Sequence, residues 1–154
     1  MQVSDILSVN RIAGDVPAAS KKRLLEKVSH LIADNDPNLS EGEVFESLLS
    51  RERLGSTGVG RGVAIPHGRL AGVDRTVGAF VRLGESVDYD AVDGEPVNLL
   101  FALLVPENST EEHLQLLATL AEMFSDEQLL NRLREAESAE TIHELLTSWS
   151  TQSH

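Results

Sequence analysis

At 154 residues the chain is long enough to bury one full hydrophobic core without covalent staples. It has no cysteine, which excludes a disulfide framework and a thiolate metal centre and fits a reducing cytoplasm. Its net charge of −12 argues against nucleic acid as a partner, because binding phosphates needs clustered Lys and Arg, and favours basic protein surfaces instead. No basic segment followed by a long apolar run opens the chain, and no stretch approaches the length of a membrane span, so secretion and membrane insertion are not expected.

In chain order, Ser4 to Asn10 reads as a short helical turn and Arg11 to Val16 as a short edge strand. Ser20 is an N-cap for a helix from Lys21 to about Asn35, with Leu24, Leu25, Val28, Leu31 and Ile32 recurring on one face. The basic turn Lys21-Lys22-Arg23 opposes the dipole at that helix start and is expected to be solvated; His30 falls among polar positions and reads as a surface residue. Asp36-Pro37-Asn38 breaks the pattern. Ser40 to Glu43 then has the form of a capping box for a helix through about Arg53, with Val44, Phe45, Leu48 and Leu49 inward. Gly55 stops it.

The run from Arg51 to Arg69 concentrates the chemistry. Gly55, Gly58, Gly60 and Gly62 surround Ser56 and Thr57, a density that suits bare backbone N–H groups approaching an anion. Val63 to Ile65 reads as a short strand that Pro66 ends, so that His67 projects from the strand end beside a flexible Gly68. One imidazole nitrogen can be held by an acceptor while the other attacks as a neutral nucleophile. Arg51, Arg61 and Arg69 lie nearby in sequence, and guanidinium forks match phosphoryl oxygens. Four arginines and one glutamate make this run a local positive patch on an acidic chain. Taken together, these features point to phosphoryl chemistry on a histidine.

Gly68 to Arg75 is a polar connection, and Thr76 to Leu83 alternates as a half-buried strand. Asp88, Asp90, Asp93 and Glu95 cluster around Tyr89 and Val92 without the spacing of an EF-hand, and read as an exposed hairpin turning at Asp93-Gly94. Val97 to Val105 is almost continuously apolar, the pattern of a strand buried on both faces. Ser109 to Glu112 is a further capping box, opening a helix to about Phe124 with Leu114, Leu117, Ala118, Ala121 and Phe124 inward and His113 in the first turn. A helix from Ser125 to about Ala136 follows. The last, from Ser138 to Ser150, is expected to pack through Ile142, Leu145, Leu146 and Trp149; no role is assigned to His143 or to His154 in the tail. Strands interleaved with helices imply an α/β fold: a single-domain sandwich with a central mixed β-sheet flanked by helices on both faces.

The segment Arg51 to Gly68 resembles the active-site signature of the enzyme IIA proteins of the mannitol and fructose type in the bacterial phosphotransferase system. Pro96 to Pro106, followed by His113-Leu114, is similar to the nitrogen-regulatory branch, although some members carry a second histidine where this chain has Gln115. The likeness spans nearly the whole chain and implies one EIIA type-2 domain over residues 1–154, with a structured core at about 4–148. It implies that His67 accepts a phosphoryl group on Nε2 from a small phosphocarrier resembling HPr, that His113 donates to a phosphoryl oxygen, and that Arg51 and Thr57 help to stabilise its charge. No metal or cofactor is implied. Regulatory targets such as potassium-transport components or sensor kinases are. The absence of a transporter segment favours the regulatory branch, with a sugar-specific fructose or mannitol IIA component as the alternative. A metal-dependent hydrolase built on His67 and His113 lacks HExxH or any comparable ligand spacing, and a nucleotide-binding loop lacks GxxxxGK[ST].

Overall fold

Only a position with protein on both sides suits a run as apolar as Val97 to Val105, and that run is the centre of the sheet. The computed structural model describes residues 2–34, 36–109 and 111–149. Their helices are α1 (Val3–Ile6), α2 (Lys21–Asp34), α3 (Glu41–Leu54), α4 (Glu111–Met123), α5 (Glu127–Glu135) and α6 (Ala139–Ser148). Their strands are β1 (Ile12–Val16), β2 (Gly58–Gly60), β3 (Val63–Ala64), β4 (His67–Leu70), β5 (Val77–Val87) and β6 (Val97–Pro106). Expectations resting on Asn35, Thr110, the Glu112 side chain and residues 150–154 lie outside the described residues.

The sheet is mixed, in the order β1-β5-β6-β3-β2, with β4 also pairing with β6. The edge position expected for β1 holds, and it runs parallel to β5, while β5 and β6 are antiparallel. Along β6 the side chains alternate between two cores. Leu99, Phe101, Leu103 and Val105 join the core with α4, α5 and α6, whereas Val97, Leu100, Ala102 and Leu104 join the core with α2 and α3. The sandwich with helices on both faces is therefore as expected from the sequence.

Five local readings are corrected. Val77 to Leu83 is not half-buried, because both faces of β5 are covered as far as Leu83 apart from a partly open Arg82. The strand also runs on to Val87 before the connection that contains the acidic residues. Within that connection Tyr89 is fully buried. On α4 the inward residues are His113, Leu116, Leu120 and Met123, while Leu114, Ala118 and Ala121 face out; the apolar stripe is rotated because α4 packs through a set that includes a histidine. The first turn is split into α1 and a 3-10 turn at Val9–Arg11.

The strand expected to stop at Pro66 instead resumes. Pro66 offers no N–H, but its carbonyl accepts from the Leu103 N–H at 2.9 Å, so the ladder to β6 is bridged across the proline. β3 and β4 thus lie end to end along β6, the first opposite Leu99 and Leu100 and the second opposite Leu103 to Pro106. That continuation aims the histidine.

Candidate functional site

His67 stands opposite Leu103 in parallel register, and so shares the face of β6 that α4 covers. His113, two residues past the start of α4, is on the inward stripe of that helix and only 6% exposed. The two imidazoles meet with ring centroids 5.1 Å apart and planes tilted by 55°. Gly68 points the other way, at α3. A Cβ there would lie 2.2 Å from Ser47 Oγ and 3.0 Å from the Ser47 carbonyl carbon and oxygen. Ser47 Oγ also donates to the Arg69 carbonyl at 2.8 Å. Gly68 is therefore a close-packing glycine and not a hinge: its missing side chain lets α3 clamp the strand that carries His67.

Both histidines open on a cavity of about 820 Å³. Arg51 and Arg69 line it, as do Ser47, Ser50, Gly68 and the carboxylates Glu43 and Glu46. Leu54, Leu70, Leu114 and Leu117 supply its apolar rim, and Leu54 and Leu114 are 84% and 65% exposed. Arg51 sits in the last turn of α3, where its Nη1 donates to the Gly55 carbonyl at 2.9 Å. The start of the glycine loop is thereby tied to the guanidinium that faces the cavity.

His67 Nδ1 lies 3.0 Å from the Ile65 carbonyl oxygen. A carbonyl can only accept, so Nδ1 carries the hydrogen and the neutral ring keeps its lone pair on Nε2. Burial pushes the His67 pKa below the ordinary value of 6.5, and Arg51 and Arg69 push the same way against the Ile65 hydrogen bond and Glu52. His113 is pushed down to about 4, first by burial and then by His67 and Arg69. Its Nδ1 is buried and, among the described residues, without a hydrogen-bond partner. Neutral pH thus finds two uncharged imidazoles between two guanidinium groups, one with a free nucleophilic nitrogen and one with an unused polar atom.

Thr57 is placed differently. Among the described residues it does not line the cavity; it is 5% exposed, and its N–H donates to Glu52 Oε1 at 2.8 Å while its hydroxyl donates to Glu52 Oε2. Lys21 Nζ reaches the same carboxylate at 2.9 Å, so the expected solvated lysine is instead the counter-ion of a buried acid. Arg61 is also away from the cavity, with Nε 2.9 Å from Glu127 and its N–H on Asp93. Sequence reading missed Glu52 and Tyr89. Glu52 was detectable, since Val44, Leu48 and Glu52 recur at a spacing of four on one face of α3 and all are buried. Tyr89, in an acidic loop, carried no such signal. No group of three or more potential metal ligands occurs among the described residues.

This arrangement can accept an anionic group on a histidine, and comparison with known proteins agrees. The crystal structure of nitrogen regulatory protein IIA-Ntr from Neisseria meningitidis superposes with a TM-score of 0.88 at 49% identity, covering 94% of this chain and 99% of that one. The nitrogen regulatory protein of Pseudomonas aeruginosa is 45% identical over 146 residues, 95% of each chain. That of Escherichia coli K12 is 43% identical over 148 residues, 96% of this chain and 90% of its own. The family model described as phosphoenolpyruvate-dependent sugar phosphotransferase system, EIIA 2, matches residues 5–149, and the chain belongs to that family: it is a phosphotransferase component that takes a phosphoryl group on a histidine.

Proposed function

We propose that His67 is the histidine that takes the phosphoryl group, on Nε2, and that the chain works as a nitrogen-regulatory IIA protein in the cytoplasm. The observation that carries this is the His67 Nδ1 contact with the Ile65 carbonyl at 3.0 Å, which leaves Nε2 as the nucleophile on a ring that burial keeps neutral. The donor is a phosphohistidine on a small phosphocarrier resembling HPr. Nε2 attacks phosphorus in line, the new N–P bond forms as the donor's N–P bond breaks, and the donor imidazole leaves. The donor is already activated, so alignment and charge neutralisation are what the site must supply. Arg51, with Arg69 beside it, faces the phosphoryl oxygens from the cavity wall, and His113 donates to one of them. Thr57 acts from behind this group through Glu52.

The exposed Leu54 and Leu114 at the cavity rim give the phosphocarrier an apolar landing beside the histidines. The phosphoryl group adds about 1.5 to 2 negative charges at neutral pH, enough to change which proteins dock on the same rim. Regulatory targets, such as potassium-transport components or sensor kinases, read that change. The whole chain acts as one domain, with a core at about 4–148.

The test is intact-mass analysis after incubation with phosphoenolpyruvate, enzyme I and an HPr-type carrier. One acid-labile phosphoryl group is expected on the wild-type chain and none on His67→Ala. Full labelling of the folded His67→Ala chain refutes the assignment.

A further inference from the structure

We propose that Glu52 is a positioning residue for His67, holding the attacking tautomer in place through the glycine loop; this rests on the reading of His67 as the phosphoryl acceptor. The Glu52 side chain is 2% exposed, and a carboxylate so deeply buried is tolerated only when it is paired and hydrogen-bonded. Lys21 supplies the charge at 2.9 Å, while Thr57 supplies two donors, its N–H and its hydroxyl. With both groups fixed on one carboxylate, the orientation of the Thr57 peptide is fixed too.

The consequence runs directly to the histidine. The Thr57 carbonyl accepts from the Ile65 N–H at 2.9 Å, and the Ile65 carbonyl accepts from His67 Nδ1 at 3.0 Å. Glu52, Thr57, Ile65 and His67 are therefore joined by three successive links, and the last decides which ring nitrogen carries hydrogen. Two side branches stiffen the loop: Ser56 Oγ donates to the Tyr89 carbonyl at 3.0 Å and accepts from the Gly58 N–H at 3.1 Å. The Lys21 ammonium also lies 4.6 Å from the centre of the Tyr89 ring, whose hydroxyl is 3.3 Å from Thr57 Oγ1. The Glu52 charge is felt at the imidazole, where it opposes the depression caused by burial and the arginines.

The experiment uses the full chain with Glu52→Gln, and Thr57→Val as a second variant that keeps the backbone bond and removes only the hydroxyl. Long-range proton–nitrogen NMR of the imidazole reads the His67 tautomer without any phosphoryl transfer, and initial rates of labelling by the phosphocarrier read the reaction. The wild-type ring should show hydrogen on Nδ1. In Glu52→Gln that signature should give way to a mixture of tautomers, with the labelling rate down about tenfold, and Thr57→Val should move both readouts in the same direction. An unchanged ring signature or an unchanged rate in a folded variant overturns the inference, whatever the change in melting temperature. Should Glu52→Gln fail to fold, Thr57→Val decides on the same criteria. Labelling that persists in His67→Ala would instead refute the acceptor assignment, a result the tautomer measurement does not depend on.

Discussion

Replacing Gly68 with alanine probes whether close packing of α3 on β4 is what aims His67. The added Cβ would meet Ser47 Oγ at 2.2 Å and the Ser47 carbonyl carbon and oxygen at 3.0 Å. The hydroxyl can swing aside only by giving up its bond to the Arg69 carbonyl, at 2.8 Å, and the backbone atoms cannot swing at all. Helix and strand must therefore part by several tenths of an ångström. Overpacking of this kind costs about 1–3 kcal/mol, and the lost hydrogen bond about 1 kcal/mol more. At roughly 2–4 °C per kcal/mol for a chain of this size, the melting temperature should fall by roughly 5–15 °C. In urea the midpoint should drop with the slope unchanged. Because β4 carries His67, the labelling rate should fall about ten- to a hundredfold in the protein that remains folded. Gly42→Ala is the control: it lies in α3 with only Ser40 Oγ nearby, at 3.8 Å, and should be stabilising by about 0.5–1 kcal/mol. A Gly68→Ala chain that melts and labels like the wild type would refute the packing argument.

His113→Ala should keep the acceptor and slow its labelling about a hundred- to a thousandfold, the scale of removing one donor from a developing anion; stopped-time mass analysis checks this. His113 also makes stability depend on pH. Its folded pKa of about 4 lies below the ordinary 6.5, so the unfolded chain binds more protons in between. The stability it contributes is complete above pH 6.5 and is lost as pH falls towards 4, on the order of 2–3 kcal/mol. Urea titrations of wild type and His113→Gln across that range should diverge in this direction. Arg82→Met removes the donors that hold the Leu133 and Ala136 carbonyls at the end of α5, and should cost about 2–3 kcal/mol in urea unfolding without altering the His67 ring signature.

The layers of the fold were legible because they follow from patterns that are local in sequence. The unbroken apolar run of β6 demanded two covered faces, and the spacing of Leu24, Leu25, Val28 and Ile32 demanded one. The capping chemistry at Ser40 and the polar starts at Ser125 and Ser138 placed three helix starts to within two residues, the cap of α5 being Asp126. Features that depend on long-range packing were not legible. Gly68 reads as flexible until α3 is seen against it, and Pro66 reads as a strand end until Leu103 is seen to use its carbonyl. His113 and Glu52 share one lesson. Each is a polar residue buried on the inward face of its helix; the family resemblance alone brought His113 into the site, and Glu52 was passed over. A polar residue at an apolar position is the informative case, since burying it is costly without a use for it. The meeting of His67 with His113, forty-six positions apart by their numbers, comes from β4 pairing with β6 in a register that turns His67 to the face α4 covers.

On the proposed chemistry, His113 faces opposite demands before and after transfer. In the free chain its proton is disfavoured by burial, by His67 and by Arg69, so at neutral pH it adds no positive charge to a site that already holds two guanidinium groups. Once the phosphoryl group is on His67, about 1.5 to 2 negative charges stand beside the same imidazole. Opposite charge at short range favours the protonated form, so the term that dominates its titration changes sign while burial stays. The His113 pKa should therefore rise on phosphorylation, since the two ring centroids are only 5.1 Å apart. NMR titration of the free and phosphorylated chains measures this directly. A His113 that titrates at the same pH in both forms would mean that the phosphoryl group points away from it, leaving Arg51 and Arg69 to neutralise the charge alone.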